Sequence, residues 1–363
     1  MKRTNFKNIT LPLLGMGSMR LPQSGVDPDL DKTQEIVDYC FSQGVNYFDT
    51  AYFYHGGKSE VIMGKALAKY PRDSFYVADK YHFSSEPDYK KQFEEQLKRL
   101  NMDRIDFYML HSIMDTTVDE YMTNGCIEYF LEQQEKGRIT YLGFSLHGGL
   151  ATLDTIIKKR SWDFALIQLN YYDWYHSKAK DEYDMLVEAN IPVMIMEPVH
   201  GGLLTSLTDE SNKVLKNAEP DKSIASWAFR FVAGLPGVAV ILTGMSTMEQ
   251  ARENIATIKE NKPLSETDHK TLKEACILYN KTVGVTCTSC GYCLDDCPLG
   301  LDIPMMLNYY NDSKSGGDWR LSQLSVLPDE SQPKACTACG LCVGHCPQDI
   351  DIPKYLTEMA GKI

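Results

Sequence analysis

Short apolar runs alternate with longer amphipathic segments throughout the first 262 residues of the chain. The runs are rich in β-branched and aromatic residues, and they predict eight strands: 11–17, 46–51, 74–80, 105–111, 139–145, 164–170, 191–197 and 238–244. Each run precedes a segment with helical periodicity, such as residues 33–41, whose apolar positions share one face. Strands that alternate with helices pair in parallel, and eight such units in about 250 residues suit a closed barrel. We therefore predict an α/β protein with a (β/α)8 TIM barrel.

Polar residues end three successive predicted strands, and the active sites of such barrels are built at these C-terminal strand ends. Asp49 closes the second strand, Lys80 the third and His111 the fourth. Tyr54 lies in the loop just after Asp49. A single polar residue at a strand end more often only forms a hydrogen bond, but four at successive ends favour an active site.

These four residue types can act together in proton transfer. A tyrosine hydroxyl has a pKa of about 10, so it exchanges protons poorly at neutral pH unless a cation such as Lys80 stabilises its anion. A buried lysine in turn needs a paired carboxylate, which Asp49 would provide. His111 would donate a hydrogen bond to a substrate oxygen and orient it.

Composition and charge exclude several classes of protein. The chain has 363 residues, of which 43% are hydrophobic and 24% charged, and its formal net charge is −12. It contains no basic run, which argues against a nucleic-acid partner. It contains no stretch of about 18 apolar residues, which argues against a membrane span. Residues 1–10 lack the apolar stretch of a secretory signal, so a cytoplasmic location is expected.

Eight of the eleven cysteines lie in the last quarter of the chain, in two copies of the motif Cys-x2-Cys-x2-Cys-x3-Cys-Pro. In bacterial ferredoxins with this spacing, three cysteines bind one [4Fe–4S] cluster and the fourth binds the other. We predict one cluster on Cys287, Cys290, Cys293 and Cys346, and a second on Cys336, Cys339, Cys342 and Cys297. Two zinc sites are the less favoured alternative, because zinc needs only paired CxxC arms. Cys40, Cys126 and Cys276 stand singly and are expected in the core.

The two cysteine motifs belong to an internal repeat, in which Asp302 and Asp351 occupy equivalent positions, so we predict a pseudo-twofold module. The segment 299–335 between the motifs is long and contains a helix-compatible stretch, which predicts a mostly helical, ferredoxin-like module. Residues 270–281 predict a helix that leads into the first cysteines. We place the barrel at residues 1–270 and the iron–sulfur module at residues 271–363.

The barrel resembles the aldo-keto reductases, and the whole chain resembles those members that carry a C-terminal domain with two [4Fe–4S] clusters. The matching positions are Phe48–Ala51, Tyr54, Gly57, Ser59, Glu60, Gly64, Ala66 and Leu67. Lys80 and His111 fall where the catalytic lysine and histidine of the family fall. The resemblance implies reversible hydride transfer between a nicotinamide and a carbonyl or alcohol. Tyr54 would be the general acid, Lys80 would lower its pKa, Asp49 would pair with Lys80, and His111 would orient the substrate.

The same resemblance implies the residues that bind the nicotinamide cofactor. Ser145 and Gln168 would contact the carboxamide, and the pyrophosphate and adenosine end would lie on Gly244, Ser246, Gln250 and Asn254. Two features depart from the family. Met196 replaces the usual stacking tyrosine, and Met245 and Gln250 stand roughly where many relatives have the Lys and Arg that hold the 2′-phosphate, which leaves Arg252 as the cation nearby. The sequence therefore leaves NADPH and NADH both open.

Two hypotheses about the clusters remain open at this point. In one, an anaerobic redox enzyme relays electrons to an external carrier, and its acidic module would suit a basic redox partner protein. A nicotinamide transfers two electrons together and a cluster one at a time, so such a relay needs a flavin, for which no binding signature is recognisable. In the other, a carbonyl reductase uses the clusters only to stabilise its C-terminal segment. An electron carrier with a decayed barrel is the least favoured reading, because the catalytic set is intact.

The substrate is expected to be a small carbonyl or alcohol compound. Aromatic residues near the predicted strand ends suggest a pocket for a cyclic or apolar carbonyl, with core packing as an equally favoured alternative. These aromatic residues are Tyr52, Phe53, Tyr81, Tyr172 and Trp174.

Overall fold

The computed structural model describes residues 1–115, 117–176, 179–282, 285, 287, 291–295, 297–316, 319–344, 346, 348 and 350–363. The predicted cluster ligand Cys290 lies outside the described residues. The chain divides into two compact units. The first contains residues 1–174, 178–205 and 225–265, and the second contains residues 175–177, 206–224 and 266–363. The predicted domain boundary at residue 270 stays a prediction, and it falls within a continuous helix, Glu266–Thr282.

The strands of the first unit form a closed parallel barrel and two small hairpins. They are β1 (Arg3–Phe6), β2 (Ile9–Pro12), β3 (Leu14–Gly17), β4 (Gln23–Ser24), β5 (Asp27–Pro28), β6 (Tyr47–Asp49), β7 (Tyr76–Tyr81), β8 (Ile105–Ile113), β9 (Ile139–Leu146), β10 (Ala165–Gln168), β11 (Val193–Met196) and β12 (Val238–Gly244). The barrel order is β3, β6, β7, β8, β9, β10, β11, β12 and back to β3. Each barrel strand overlaps one predicted run, so the predicted (β/α)8 barrel is confirmed.

Helices follow the barrel strands along the chain and continue into the second unit. They are α1 (Leu30–Ser42), α2 (Lys58–Leu67), α3 (Tyr89–Leu100), α4 (Val118–Thr123), α5 (Cys126–Glu135), α6 (Leu150–Lys159), α7 (Tyr171–His176), α8 (Ala179–Glu188), α9 (Asp209–Ala218), α10 (Ile224–Ala233), α11 (Met248–Glu260), α12 (Glu266–Thr282), α13 (Tyr292–Asp295), α14 (Ile303–Gly316), α15 (Trp319–Ser322), α16 (Leu341–Gly344) and α17 (Ile352–Ala360). None of the helices in the described part of the chain has the length and apolar character needed to cross a bilayer.

The hairpin β1–β2 closes the N-terminal end of the barrel. Its Phe6 is buried, with ring centroids 5.4 Å from Phe107 and 5.0 Å from Tyr141 inside the barrel. Leu11 of the same hairpin joins this apolar cluster. Because apolar side chains fill this end, the C-terminal end is where polar residues can meet.

Strand alternation decides which side chains reach that C-terminal end. Tyr47 of β6, Ala78 of β7 and Phe107 of β8 belong to the apolar cluster inside the barrel. Successive side chains of a strand point to opposite faces, so the residues two and four positions further along also point inward. Asp49, Lys80 and His111 are such residues, which explains why three separate strands deliver them to one place.

The second unit is helical and has its own buried core. Residues from α14, α17 and the connecting turns pack together with two of the predicted cluster ligands. The core consists of Val285, Cys293, Leu301, Ile303, Met306, Leu307, Tyr310, Leu321, Leu324, Cys342, Ile350, Ile352, Leu356 and Met359. The predicted helix over residues 270–281 is present as α12, and the mostly helical character of the module is confirmed.

The repeat in the second unit is visible at two helix starts. Asp302 accepts a hydrogen bond from the backbone N–H of Met305 at the start of α14, and Asp351 accepts one from Lys354 at the start of α17. Both aspartates therefore act as N-caps, for which this residue type is preferred. The two halves of the module use the same local structure after each Cys-Pro pair.

Candidate active site and cysteine-lined cavities

Lys80 is the centre of the buried charges at the C-terminal end of the barrel. Its side chain is 1% exposed, and Nζ lies 2.5 Å from Oδ1 of Asp49 and 2.5 Å from the carbonyl oxygen of Thr50. Burial acts to lower the pKa of Lys80, but the charge of Asp49 and its hydrogen bond to Nζ act in the opposite direction, and the net direction is upward. The lysine is therefore a fixed positive charge inside the barrel.

Tyr54 reaches Lys80 from a tight turn after β6. Three successive residues of this turn, His55, Gly56 and Gly57, have positive φ angles of 53°, 64° and 84°. The last two positions require glycine, because other residues are strained there. The turn places the Tyr54 ring centroid 4.9 Å from Nζ of Lys80.

The hydroxyl of Tyr54 remains protonated at neutral pH. Burial raises the pKa of Tyr54 above its ordinary value of 10.0, while the charge and hydrogen bond of Lys80 act in the opposite direction. The sequence analysis expected Lys80 to lower this pKa, and its contribution has that sign, but burial is the larger effect. The Tyr54 hydroxyl can therefore donate a proton, and the nearby charge of Lys80 stabilises the tyrosinate that would result.

His111 faces Tyr54 across the barrel mouth, with ring centroids 5.8 Å apart. Burial, together with the charge of Lys80, lowers the pKa of His111 well below 6.5, so its imidazole is neutral. The ring of Phe53 stacks on His111 at 5.0 Å with an interplanar angle of 12°, and His82 lies 5.4 Å from His111. These rings keep water away from one side of the site.

The residues predicted to hold the nicotinamide carboxamide lie on neighbouring strands. Ser145 is buried on β9, and its Oγ accepts a hydrogen bond of 2.8 Å from the backbone N–H of Ser112. Gln168 ends β10, and its amide donates a 3.0 Å hydrogen bond to Oδ2 of Asp173. The amide nitrogen of Gln168 is thus engaged by a carboxylate that sequence reasoning did not identify, which leaves its oxygen free to accept.

The residues predicted for the other end of the cofactor gather after β12. The backbone N–H of Ser246 donates to Oε1 of Gln250 at 2.8 Å, and Thr247 caps α11. Asn254 lies deeper and donates to Oγ1 of Thr243 at 3.3 Å. Gly244 and Ser246 are half-buried and Gln250 is exposed, so these three can meet a ligand, whereas the buried Asn254 shapes the segment from within.

A groove runs beside this segment, with a volume of about 700 Å³. It is lined by Ser246, Thr247 and Met248 on one side and by the loop after β3 and helix α1 on the other. Ligand sites commonly have volumes of about 300–1,000 Å³. The residues present therefore fit an extended cofactor such as a dinucleotide.

Arg20 is a residue of this groove that the sequence analysis missed. Its backbone carbonyl accepts a hydrogen bond of 2.8 Å from Oγ of Ser246, and its side chain passes over Gly244, where a Cβ would lie 3.0 Å away. Nη2 lies 3.4 Å from Oε1 of Glu197, at the end of β11. Glu197 has a φ of 54°, which is unusual for a residue with a Cβ. Arg20 lies in the loop after β3, which ends at Gly17, so no strand-end signal marked it.

The five aromatic residues considered for the substrate pocket do not act together. Phe53 is the one that contacts His111, and it is 39% exposed. Tyr81 packs on Tyr121 in the core. Trp174 packs on Phe231, the Tyr52 hydroxyl donates to Glu95, and the Tyr172 ring lies against His200. Core packing explains most of this set, and Phe53 alone lines the catalytic residues.

The described cysteines of the second unit line two separate cavities. One cavity is lined by Cys297, Cys336, Cys339 and Cys342. The other is lined by Cys287, Cys293 and Cys346. In each cavity the last cysteine of one motif meets the first cysteines of the other, as expected for the predicted pseudo-twofold repeat.

The donor set of the two cavities fits the predicted group. A [4Fe–4S] cluster is held by cysteine thiolates, and the described cysteines of the two motifs line both cavities.

The three cysteines outside the motifs, Cys40, Cys126 and Cys276, are all buried. Burial raises the pKa of each thiol to about 12. Their protonated, enclosed sulfur atoms agree with the expected role in core packing.

A barrel with Tyr54, Lys80, Asp49 and His111 at its C-terminal face defines an oxidoreductase of the (β/α)8 class. The model of the aldo/keto reductase family matches residues 13–277, and the chain belongs to this family. A 4Fe-4S dicluster domain matches residues 286–350. The protein is thus an NAD(P)H-dependent oxidoreductase with a C-terminal ferredoxin domain.

Similar proteins agree with this classification. The uncharacterized oxidoreductase YqkF of Bacillus subtilis is 26% identical over 305 residues, which cover 75% of this chain and 95% of that protein. The NADH-specific methylglyoxal reductase of Escherichia coli is 25% identical over 320 residues, or 74% and 95% of the two chains. The holo form of the aldo-keto reductase AKR11C1 from Bacillus halodurans superposes with a TM-score of 0.64 at 25% identity, covering 76% of this chain and 96% of that one.

Proposed function

We propose that the protein reduces a small carbonyl compound by hydride transfer from NAD(P)H, with Tyr54 as the general acid. A bound nicotinamide coenzyme supplies the hydride to the carbonyl carbon. The Tyr54 hydroxyl donates its proton to the carbonyl oxygen, and the product is the alcohol. Lys80 stabilises the tyrosinate that is left, and Asp49 holds Lys80 in place.

His111 completes the proposed site by positioning the substrate. Its imidazole is neutral, so it can donate a hydrogen bond to the carbonyl oxygen without competing with Tyr54 as an acid. Stacking by Phe53 fixes the plane of the ring. The observation that carries the proposal is the buried contact of Tyr54, Lys80 and Asp49, since a charged lysine enclosed beside a tyrosine is costly without a chemical role.

The pH dependence of the reaction tests this assignment. Tyr54 must be protonated to reduce a carbonyl, and burial raises its pKa above 10.0. We expect carbonyl reduction to be independent of pH through the neutral range and to fall only in alkaline solution. Alcohol oxidation needs the tyrosinate and should rise with pH over the same range. Anaerobic steady-state assays over a range of pH measure the rates of reduction and of oxidation. The carbonyl substrate is methylglyoxal, which appears in the name of one relative, and the cofactor is NADH or NADPH. An inflection of kcat in acidic solution, below pH 6.5, would assign the acid to a histidine instead.

Arg20 is proposed to bind the pyrophosphate of the cofactor. Its aliphatic stem lies over Gly244, and its guanidinium is paired with Glu197 by a long contact of 3.4 Å, from which a phosphate can displace it. The substitution Arg20→Met should weaken binding of NADH and NADPH equally, by about 10- to 100-fold, because a charge-assisted hydrogen bond contributes about 1.5–3 kcal/mol. Dissociation constants from nicotinamide fluorescence measure this effect.

Arg138→Met provides the matched control, since Arg138 pairs with Glu94 at 2.7 Å and is not among the residues that line the groove. A loss confined to NADPH in the Arg20 variant would assign Arg20 to the 2′-phosphate. Unchanged affinity for both cofactors would exclude it from the cofactor site.

For the second unit we propose two [4Fe–4S] clusters with crossed ligands. Cys287, Cys290, Cys293 and Cys346 would hold one, and Cys336, Cys339, Cys342 and Cys297 the other. The support is the pairing of Cys346 with the first motif and of Cys297 with the second around the two cavities. A [4Fe–4S] cluster exchanges single electrons, and its potential is set by its surroundings.

Two roles for the clusters follow, and one variant separates them. A relay to an external redox partner would need a flavin between the nicotinamide and the clusters. A stabilising role needs none, although the apolar core of the module shows that the cysteines are not its only support. Replacing Cys290 and Cys339 with serine should remove the clusters. Full NAD(P)H-dependent carbonyl reduction by this folded variant would exclude an obligatory relay, and an anaerobic spectrum of the wild type would show whether flavin co-purifies.

A further inference from the structure

Two carboxyl groups outside the catalytic set are enclosed behind Lys80. Asp79 precedes Lys80 on β7, and Glu60 lies on α2; both are fully buried. Because neighbouring side chains on a strand alternate, Asp79 points away from the barrel interior, toward the helices. There its carboxyl group is in hydrogen-bonding contact with that of Glu60.

The hydrogen-bond donors around this pair leave one oxygen of each carboxyl group unmatched. Oε2 of Glu60 accepts from Nη1 of Arg99 at 2.8 Å, and Oδ1 of Asp79 accepts from the backbone N–H of Lys80 at 2.8 Å. Oε1 of Glu60 and Oδ2 of Asp79 are buried and have no donor among the described residues. Ionised carboxylates only accept hydrogen bonds, so two such groups in contact repel each other. A proton between them turns the repulsion into a hydrogen bond.

The charges in this region also require a proton. The cations Lys80 and Arg99 are already matched by two carboxylates, Asp49 and Glu60. A charged Asp79 would be a third buried carboxylate without a cation of its own. Burial and the charge of Glu60 raise the pKa of Asp79 well above its ordinary value.

The polar groups of α3 and β8 that pack around Asp79 and Glu60 do not supply a positive charge for Asp79. Gln96 of α3 is neutral, donates to the carbonyl oxygen of Lys80 and accepts from the hydroxyl of Tyr108 on β8. Glu95, also on α3, lies on the solvent side of Arg99 and accepts from Tyr52. Arg99 and Gln96 favour the ionised form of Glu60, so the proton resides mainly on Asp79.

We propose that Asp79 and Glu60 share one proton at neutral pH, and that this proton keeps the positive charge of Lys80 available to Tyr54. Both are positioning residues, since neither touches the substrate. The link to Tyr54 rests on the proposed function. A second carboxylate beside Lys80 would neutralise the charge that must stabilise the tyrosinate, and Tyr54 would become a weaker acid.

Infrared spectroscopy of the whole protein tests the shared proton without substrate or cofactor. A protonated carboxylic acid has a carbonyl band that ionised carboxylates lack. We expect this band in the wild type at neutral pH, shifted by ¹³C-aspartate labelling and lost in Asp79→Asn. It should also be lost in Glu60→Gln, because the new amide donates to Asp79 and leaves it ionised. Absence of the band in the wild type, or its persistence in both variants, overturns the proposal.

Asp106→Asn is the matched control for these variants. Asp106 is a buried aspartate on β8 that pairs with Arg72 at 2.7 Å and accepts from the backbone N–H of Val77. It has no facing carboxyl group among the described residues, so its replacement should leave the infrared band in place.

The pH profile of carbonyl reduction tests the link to Tyr54. Asp79→Asn replaces one neutral group by another. The fall of the reduction rate in alkaline solution, called the alkaline limb, should therefore occur at the same pH as in the wild type. Glu60→Gln moves a negative charge to Asp79, next to Lys80, so the limb should move to higher pH. A shift to lower pH in Asp79→Asn would show that Asp79 is charged in the wild type, which overturns the proposal. An unmoved limb in Glu60→Gln overturns the link to Tyr54. A wild type without carbonyl reduction would instead contradict the proposed function, while the infrared result would still decide the shared proton.

Discussion

Replacing Tyr54 with phenylalanine is expected to lower kcat for carbonyl reduction by about 10²- to 10⁴-fold, the range of a general acid's contribution. The ring contacts of Tyr54 with Phe53 and Lys80 are kept, so the site should not collapse. The dissociation constant for NAD(P)H should be unchanged, because Tyr54 acts on the substrate oxygen. Steady-state rates and fluorescence titration of the cofactor measure the two quantities separately.

Tyr52→Phe is the control for this experiment. Tyr52 is two residues away and its hydroxyl donates to Glu95, outside the catalytic set, so its loss should change kcat little. If Tyr54→Phe retained full turnover, or if both variants lost it equally, the assignment of the acid would be wrong.

Paired cysteine substitutions should separate the two proposed clusters. Replacing Cys297 and Cys336 with serine removes two ligands of the same cluster, and the iron content should fall to about half. Replacing Cys287 and Cys297 removes one ligand from each cluster and should lower the iron content of both. The distinction follows from the cavities, where Cys297 lies with Cys336 and Cys346 lies with Cys287. Iron and sulfide analysis of anaerobically purified protein measures the result.

Cys126→Ser is the control for the cysteine pairs, since this buried residue of α5 lies outside both motifs and should leave the iron content unchanged. If the pair Cys297 and Cys336 depleted both clusters while Cys287 and Cys297 depleted only one, the ligands would not be crossed. Each cluster would then be held by the four cysteines of a single motif.

The barrel, and the meeting of its polar strand-end residues, could be predicted from the sequence because both depend on strand periodicity. Residues two apart on one strand share a face, so Asp49 and Lys80 follow directly from the apolar runs that precede them. The cysteine cavities could be predicted for a similar reason, because their spacing is local and specific.

The residues that sequence reasoning missed depend on contacts between distant segments. Arg20 becomes meaningful only when the loop after β3 is seen to lie against Ser246. Asp173 was missed because it meets Gln168 through a turn that carries no motif. Asp79 faces Glu60 only because α2 packs on the outer side of β7. Local patterns carry no information about such pairs.

The crossed arrangement proposed for Cys297 and Cys346 would have a consequence for how the protein matures. Each cavity takes cysteines from both motifs, so neither is complete until the chain from the first motif to the second has been synthesised and folded back on itself. Iron delivery would then wait for the second motif, and a chain that ends before Cys346 would have an incomplete site in the first half. Cluster insertion would follow only after translation has reached Cys346.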